Sequence, residues 1–207
     1  MKDVILIDAG TGNLRSVQKA LESVGASVER TEDPHAVRRV VSGKRIVLPG
    51  VGAFGDFMSG LRAKGLDNAV KEATEQGIPL LGICVGMQAL FEIGEEMGDH
   101  EGLGLLSGTV VKFADSLSVK IPHTGWNQVE TKKNAVLFNR INDGAYVYFN
   151  HSYYCQAGDF SDVIAETEYG IRYACAVRRE NIFGVQFHPE KSQQVGLQVL
   201  KNFLETA

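Results

Sequence analysis

The first half of the chain alternates short apolar runs with amphipathic stripes, and that alternation restricts the fold more than any other feature. Val4-Ile5-Leu6-Ile7 is rich in β-branched residues, is bounded by Asp8 and Gly10, and reads as a buried strand. Leu14, Val17, Leu21 and Val24 follow at spacings of three and four, the stripe of a helix that buries one face. Gly25 stands where a helix C-terminus is capped. Ser27 to Arg30 reads as a weak strand, and Asp33-Pro34 as a helix start, with Asp as N-cap and Pro in the first helical position. Ile46-Val47-Leu48 is an apolar strand ended by Pro49-Gly50. Phe54, Phe57, Met58 and Leu61 mark a helix, Leu66 to Glu75 another, and Ile78 to Ile83 an apolar strand. Strands without a polar face are covered on both sides, and strands separated by helices run parallel.

The second half changes character. Thr109 to Phe113, Asn127 to Thr131, Ala145 to Phe149, Val163 to Thr167, Tyr173 to Arg178 and Ile182 to Phe187 read as strands with few helices between them. Arg179-Glu180-Asn181 reads as a hairpin turn, and Val195, Val199, Leu200, Phe203 and Leu204 as a closing helix. The expected fold is therefore α/β: a mostly parallel central sheet flanked by helices, with additional antiparallel strands in the C-terminal half. At 207 residues, with no linker or repeat, residues 1–207 read as one domain. Apolar residues make up 44% of the chain, enough for a core. The net charge of −4 disfavours a nucleic-acid partner. The apolar run before Asp8 is too short for a signal-peptide core or a membrane span. Three widely spaced cysteines, Cys84, Cys155 and Cys175, are not a disulfide framework and point to a reducing, cytoplasmic setting.

The chemistry concentrates in two segments. Gly82-Ile83-Cys84-Val85-Gly86 sits at a strand-to-helix junction and has the form of a nucleophile elbow with cysteine in place of serine. The turn lifts the thiol clear of the sheet, towards the N–H groups and dipole of the helix expected from about Val85, which favour the thiolate. The Val85 backbone N–H is placed to meet an oxyanion. The glycines and cysteine alone also suit a packed, inert turn. The second segment changes that balance: Phe187-His188-Pro189-Glu190 closes a strand, and in extended chain His188 and Glu190 point to one side. His188 can then take the thiol proton while Glu190 fixes its tautomer.

Other candidates carry less. Cys155 and Cys175 lie in apolar strands and read as core residues. His151 is a fallback base, and His123 could line a pocket, both in loops or strand edges. His35 and His100 lack ligand spacing, and no His/Cys/Asp/Glu set has the spacing of a metal site. Gly10 to Gly12 is no phosphate-binding loop, so neither metal nor cofactor is expected.

Gly82 to Gln88 together with His188-Pro189-Glu190 resembles the signature of the class I glutamine amidotransferases, and the resemblance implies their flavodoxin-like fold. Gly12-Asn13-Leu14-Arg15-Ser16-Val17, Pro49 to Phe54, Gly125-Trp126-Asn127, His151 to Tyr154 and His188 to Ser192 are similar to the subfamily of glutaminase subunits of imidazole glycerol phosphate synthases. The resemblance implies a Cys84–His188–Glu190 triad that hydrolyses L-glutamine and sends ammonia along a sequestered path to a (β/α)-barrel cyclase of histidine biosynthesis. It implies that Val51 and Val85 supply oxyanion N–H groups, and that Gly50, Gly52, Gln88, Ser152 and Tyr153 lie around the glutamine. It implies that Asn13, Trp126, Tyr148 and Lys191 face the cyclase. Gly50 and Gly52 are then expected to let the Val51 peptide reorient when the partner is loaded. Thr124, Asn150 and Val85 depart from the subfamily's commoner Met, Val and Leu, which leaves the packing of the partner-facing loop open. Service to another synthase, or a catalytically silent subunit, are the alternatives.

Overall fold

A computed structural model describes residues 2–41, 43–132 and 135–206. The first half follows the apolar pattern closely: β1 (Lys2–Ile7), α1 (Leu14–Ser23), β2 (Ala26–Thr31), α2 (Pro34–Arg38), β3 (Arg45–Gly50), α3 (Phe54–Ala63), α4 (Leu66–Glu75) and β4 (Leu80–Cys84). Then come a single turn, α5 (Val85–Gln88), and β5 (Ile93–Gly94), β6 (His100–Glu101), β7 (Gly108–Lys112), β8 (His123–Thr131) and β9 (Ala145–His151). The chain closes with β10 (Tyr153–Ala157), β11 (Val163–Glu168), β12 (Arg172–Arg179), β13 (Ile182–Val185) and α6 (Gln193–Glu205).

Local chemistry sets the boundaries. Asp33 caps α2, its carboxylate accepting from the His35 N–H at 2.9 Å. Ile78, expected to open a strand, instead ends α4. Gly77, at φ +81°, donates to the Thr74 carbonyl and Ile78 to the Ala73 carbonyl, the double bond of a Schellman cap, so β4 starts only after Pro79. Every residue of β3 and β4 is buried, as strands covered on both faces must be.

The parallel part of the sheet has the order β2-β1-β3-β4-β13. This is the flavodoxin-like 2-1-3-4-5 order, with the last strand of the chain in fifth place. Beyond β13 the sheet turns antiparallel through β12, β10 and β7, and β11, β8 and β9 branch from β12. The two-residue Glu180-Asn181 turn joins β12 to β13, with Glu180 at φ +52°. The buried Arg45 side chain, at the start of β3, donates to the Phe203 and Thr206 carbonyls and so fastens the end of α6 to the parallel sheet.

Register decides where the site lies. Gly50 pairs with Cys84 across β3 and β4, and Ile83 with Val185 across β4 and β13. Three carboxyl ends of parallel strands therefore finish abreast, and such ends are where open α/β sheets gather ligands.

Candidate active site

Cys84 is the last residue of β4 and has φ 55° and ψ −113°, a backbone conformation that L residues avoid. Holding a cysteine there costs on the order of 1–3 kcal/mol, offset by the packing around it. The flanking glycines permit this by close approach. A Cβ on Gly82 would sit 2.4 Å from the Gly86 carbonyl oxygen, and one on Gly86 would sit 1.8 Å from the Leu48 carbonyl oxygen. The motif is thus both a packing device and the frame that sets the buried Cys84 side chain at the cavity. The helix expected after Cys84 is only the four residues of α5, so the groups facing the sulfur are first-turn N–H donors with little macrodipole behind them.

The sulfur opens on a cavity of about 200 Å³ lined by Val51, Gly52, Cys84, Val85, Gln88, Ser152, Tyr153, His188 and Lys191 from the sequence reading. Glu96, Asn150 and His151 complete its wall. Gly50 stands behind this wall. A side chain there would collide with the Phe57 ring at 2.6 Å and the Gly86 nitrogen at 2.9 Å. Of the two glycines expected to free the Val51 peptide, only Gly52 has the conformational latitude, with φ +91° and open space about its α-carbon. Gly50 is the fixed end of that loop. Among the described residues the Val51 N–H meets no acceptor.

His188 and Glu190 meet, but not as an extended pair. β13 stops at Val185, His188 itself is extended, and Pro189–Lys191 form a 3₁₀ turn. Across that turn His188 Nδ1 lies 3.0 Å from Glu190 Oε1, with both side chains buried. The second carboxylate oxygen of Glu190 is buried without a partner among the described residues. Burial works against a charged imidazole, but the Cys84 sulfur and the Glu190 carboxylate outweigh it and draw His188 up to about 10. The imidazole of His188 is thereby favoured in its charged form. His188 is also anchored through its backbone. Its N–H donates to the Tyr148 carbonyl at 2.9 Å, and the Ser192 hydroxyl donates to its carbonyl at 2.7 Å while accepting from the Tyr148 N–H.

His151, the fallback base, is committed elsewhere: one ring nitrogen lies 2.8 Å from the Tyr153 carbonyl and the other 3.0 Å from the Tyr173 hydroxyl. Burial leads the effects that lower its titration, to about 3. Cys155 and Cys175 are buried free thiols pushed well above the usual thiol range by burial, as core cysteines are.

Of the expected partner-facing residues, Asn13, Trp126 and Tyr148 lie outside the cavity, and Lys191 stands on its wall. Trp126 and Tyr148 pair across β8 and β9 with rings 6.1 Å apart, and the Lys191 ammonium lies 5.6 Å from the Tyr148 ring. Asn13 is exposed at the start of α1, with no side-chain capping bond. The strand expected from Asn127 begins four residues earlier: His123 to Trp126, expected in a loop or strand edge, belong to β8, where Thr124 Oγ1 donates to Asn150 Oδ1 at 3.0 Å. Those two departures from the subfamily pattern thus face each other across the β8–β9 ladder. Two residues escaped the sequence reading. Gln186 is wholly buried and donates towards the Cys84 sulfur at 3.8 Å. Glu96 lines the cavity and accepts the first N–H of α3 from Phe54 at 2.7 Å. Gln186 lay within the segment already singled out. Glu96 carried no signal among several acidic neighbours.

Residues 5–207 match the family described as glutamine amidotransferase class-I. Two curated relatives named imidazole glycerol phosphate synthase subunit HisH illustrate the similarity. The one from Salinibacter ruber is 47% identical, over 96% of this chain and 92% of that protein. The one from Moorella thermoacetica is 48% identical, over 99% and 95%. Among solved structures, a "glutamine amidotransferase" superposes with a TM-score of 0.73 at 20% identity, covering 97% of both chains. PurLQS from Thermotoga maritima gives 0.73 at 21% identity and 99% of both. At such identities these two speak for the fold.

Proposed function

This chain belongs to the class I glutamine amidotransferases, and from that premise we propose that it is the glutaminase subunit of an imidazole glycerol phosphate synthase. The observation that carries the reading is the buried His188, paired with Glu190 at 3.0 Å and drawn up to about 10 by Cys84 and Glu190 at the mouth of one cavity. That arrangement suits acyl transfer from an amide.

The Cys84 sulfur attacks the side-chain carbonyl carbon of glutamine, and the carbonyl π bond becomes an oxyanion. The Val51 and Val85 N–H groups receive it, each worth roughly 2.7–4 kcal/mol of barrier. His188 passes its proton to the amide nitrogen, the C–N bond breaks, and ammonia leaves a thioester on Cys84. Water then gives a proton to His188 and its oxygen to the acyl carbon, releasing glutamate and restoring the sulfur–imidazolium pair. Gly50, Gly52, Gln88, Ser152 and Tyr153 shape the place of the substrate. The Glu96 carboxylate suits the ammonium of a free amino acid. Ammonia moves to a (β/α)-barrel cyclase docked over Asn13, Trp126, Tyr148 and Lys191, in the cytoplasm. The relatives' names, at 44–48% identity, favour this partner over another synthase.

The test is Cys84→Ser in the full chain mixed with that cyclase. Glutamate release from glutamine falls to background, while added ammonia still supports the cyclase. An equal loss of both would mean that the substitution acts through folding or docking, and release at the wild-type rate would end the reading.

A further inference from the structure

Behind the cavity lies a buried polar chain that the triad does not use. Asn127 Nδ2 lies 3.4 Å from His123 Nε2, and His123 Nδ1 lies 2.8 Å from the Tyr173 hydroxyl. That hydroxyl lies 3.0 Å from His151 Nε2, and His151 Nδ1 lies 2.8 Å from the Tyr153 carbonyl. From the cavity side, Gln88 Nε2 donates to the same carbonyl at 2.9 Å and to Gln186 Oε1 at 3.1 Å, and Gln186 Nε2 donates towards Cys84.

Chemistry fixes every direction in this chain. A carbonyl only accepts, so His151 Nδ1 carries hydrogen and its Nε2 accepts. The Tyr173 O–H therefore donates to His151, and its oxygen accepts from His123 Nδ1–H. That leaves His123 Nε2 to accept from Asn127. The Tyr153 carbonyl, with two donors, is where both arms converge. Gln88 spends both amide hydrogens, which obliges Gln186 to turn its oxygen to Gln88 and its NH₂ to the sulfur. The histidines must be neutral for this to hold. Burial lowers His123 to about 4, and leads the effects that lower His151 to about 3. His123 is stacked between Phe149 and Tyr169 at 4.7 and 3.8 Å. Burial also pushes the Tyr173 hydroxyl well up, so it stays a donor.

We infer that Tyr173 is a positioning residue for the glutaminase reaction: wedged between His123 and His151, its hydroxyl donates to His151 Nε2 and so secures the ring whose Nδ1–H holds the Tyr153 carbonyl against the substrate cavity. It acts through the wall at Ser152–Tyr153, not on the reacting atoms, so its removal weakens glutamine binding more than turnover. The inference rests on the glutaminase reading above.

Two measurements test it on the full chain. In ¹⁵N-edited NMR spectra of the wild type, His123 and His151 are both neutral Nδ1–H tautomers at pH 7; an Nε2–H tautomer at His151 overturns the inference, whatever the activity. In the complex with the cyclase, Tyr173→Phe raises KM for glutamine about tenfold with kcat within about threefold. Alkylation of Cys84 by iodoacetamide stays within about twofold of the wild type. An unchanged KM with only a lower melting temperature would make Tyr173 a core residue and sink the proposal. A wild-type chain that hydrolyses no glutamine would instead count against the functional reading, leaving the tautomers to be judged by themselves.

Discussion

Substituting Gly86 by alanine separates a glycine needed for space from one needed for conformation. The added Cβ would lie 1.8 Å from the Leu48 carbonyl oxygen, and a backbone must retreat by roughly 1.2 Å to reach even a 3.0 Å contact. Leu48 cannot retreat alone, because it pairs with Gly82 in the middle of the β3–β4 ladder. The elbow moves instead, carrying Cys84 away from His188. A misplacement of about 1 Å costs about 100-fold in rate, equivalent to about 2.7 kcal/mol of barrier. Overpacking at the upper end of its usual range adds about 3 kcal/mol of instability, or about 6–12 °C in melting temperature for a chain of this size. The control is Gly77→Ala at the opposite end of β4. Gly77 has φ +81° and nothing within 4 Å of a new Cβ, so only backbone strain of about 1–2 kcal/mol is expected, with turnover unchanged. Glutamate release and calorimetric melting of both variants decide the matter. Gly86→Ala with kcat within threefold and a melting temperature within 2 °C of the wild type would refute the steric account of the elbow.

Three further outcomes follow from the same geometry. Glu190→Gln removes one of the two charges that draw His188 up to about 10; an NMR titration of His188 then shows its midpoint falling by at least one pH unit, and kcat drops about 100-fold. Asp8 is lowered: burial pushes its carboxyl up, but the Arg30 and Gly10 hydrogen bonds and the Arg30 and Lys64 charges prevail. Its stabilisation, held to about 1 kcal/mol by the half-exposed Arg30, is present above about pH 4 and is lost as pH falls through the folded value, so Asp8→Asn lowers the melting point at pH 7 and lowers it progressively less as pH falls below about 4. Asp33→Ala uncaps α2 and costs about 1 kcal/mol, read as a shift of about 2–4 °C.

The strands that carry the nucleophile were legible because they are buried on both faces, and burial writes itself as unbroken Val, Ile and Leu. The antiparallel half was harder. β8 alternates buried and exposed residues and carries Thr, Asn, Gln and Glu, so its first half reads as a loop. β10 follows β9 after a single residue, Ser152, with no glycine or proline to mark the break. β5 and β6 are two residues each and have no period to detect. In the site, the triad residues stand out because their spacing is local to two motifs. Gln186, Glu96 and Tyr173 do not, because their roles arise from neighbours 102, 42 and 22 positions away. The His188–Glu190 contact was anticipated for the wrong reason. Extended geometry predicts it, whereas the 3₁₀ turn Pro189–Lys191 brings the two together.

The placement of β13 between β4 and β12 has a consequence for the order of events at the ribosome. Residues 84 and 188 become neighbours only when one of the last strands to be made slots into the middle of the sheet. At roughly 5–20 residues per second, on the order of 5–20 s separate the synthesis of the sulfur from that of its base. During that interval the side of β4 that β13 will cover stays unpaired, a hazard the chain must survive. The growing polypeptide holds its nucleophile without the means to use it. On the reading proposed above, chemistry begins only with the closing of the sheet, so an unfinished chain wastes no glutamine.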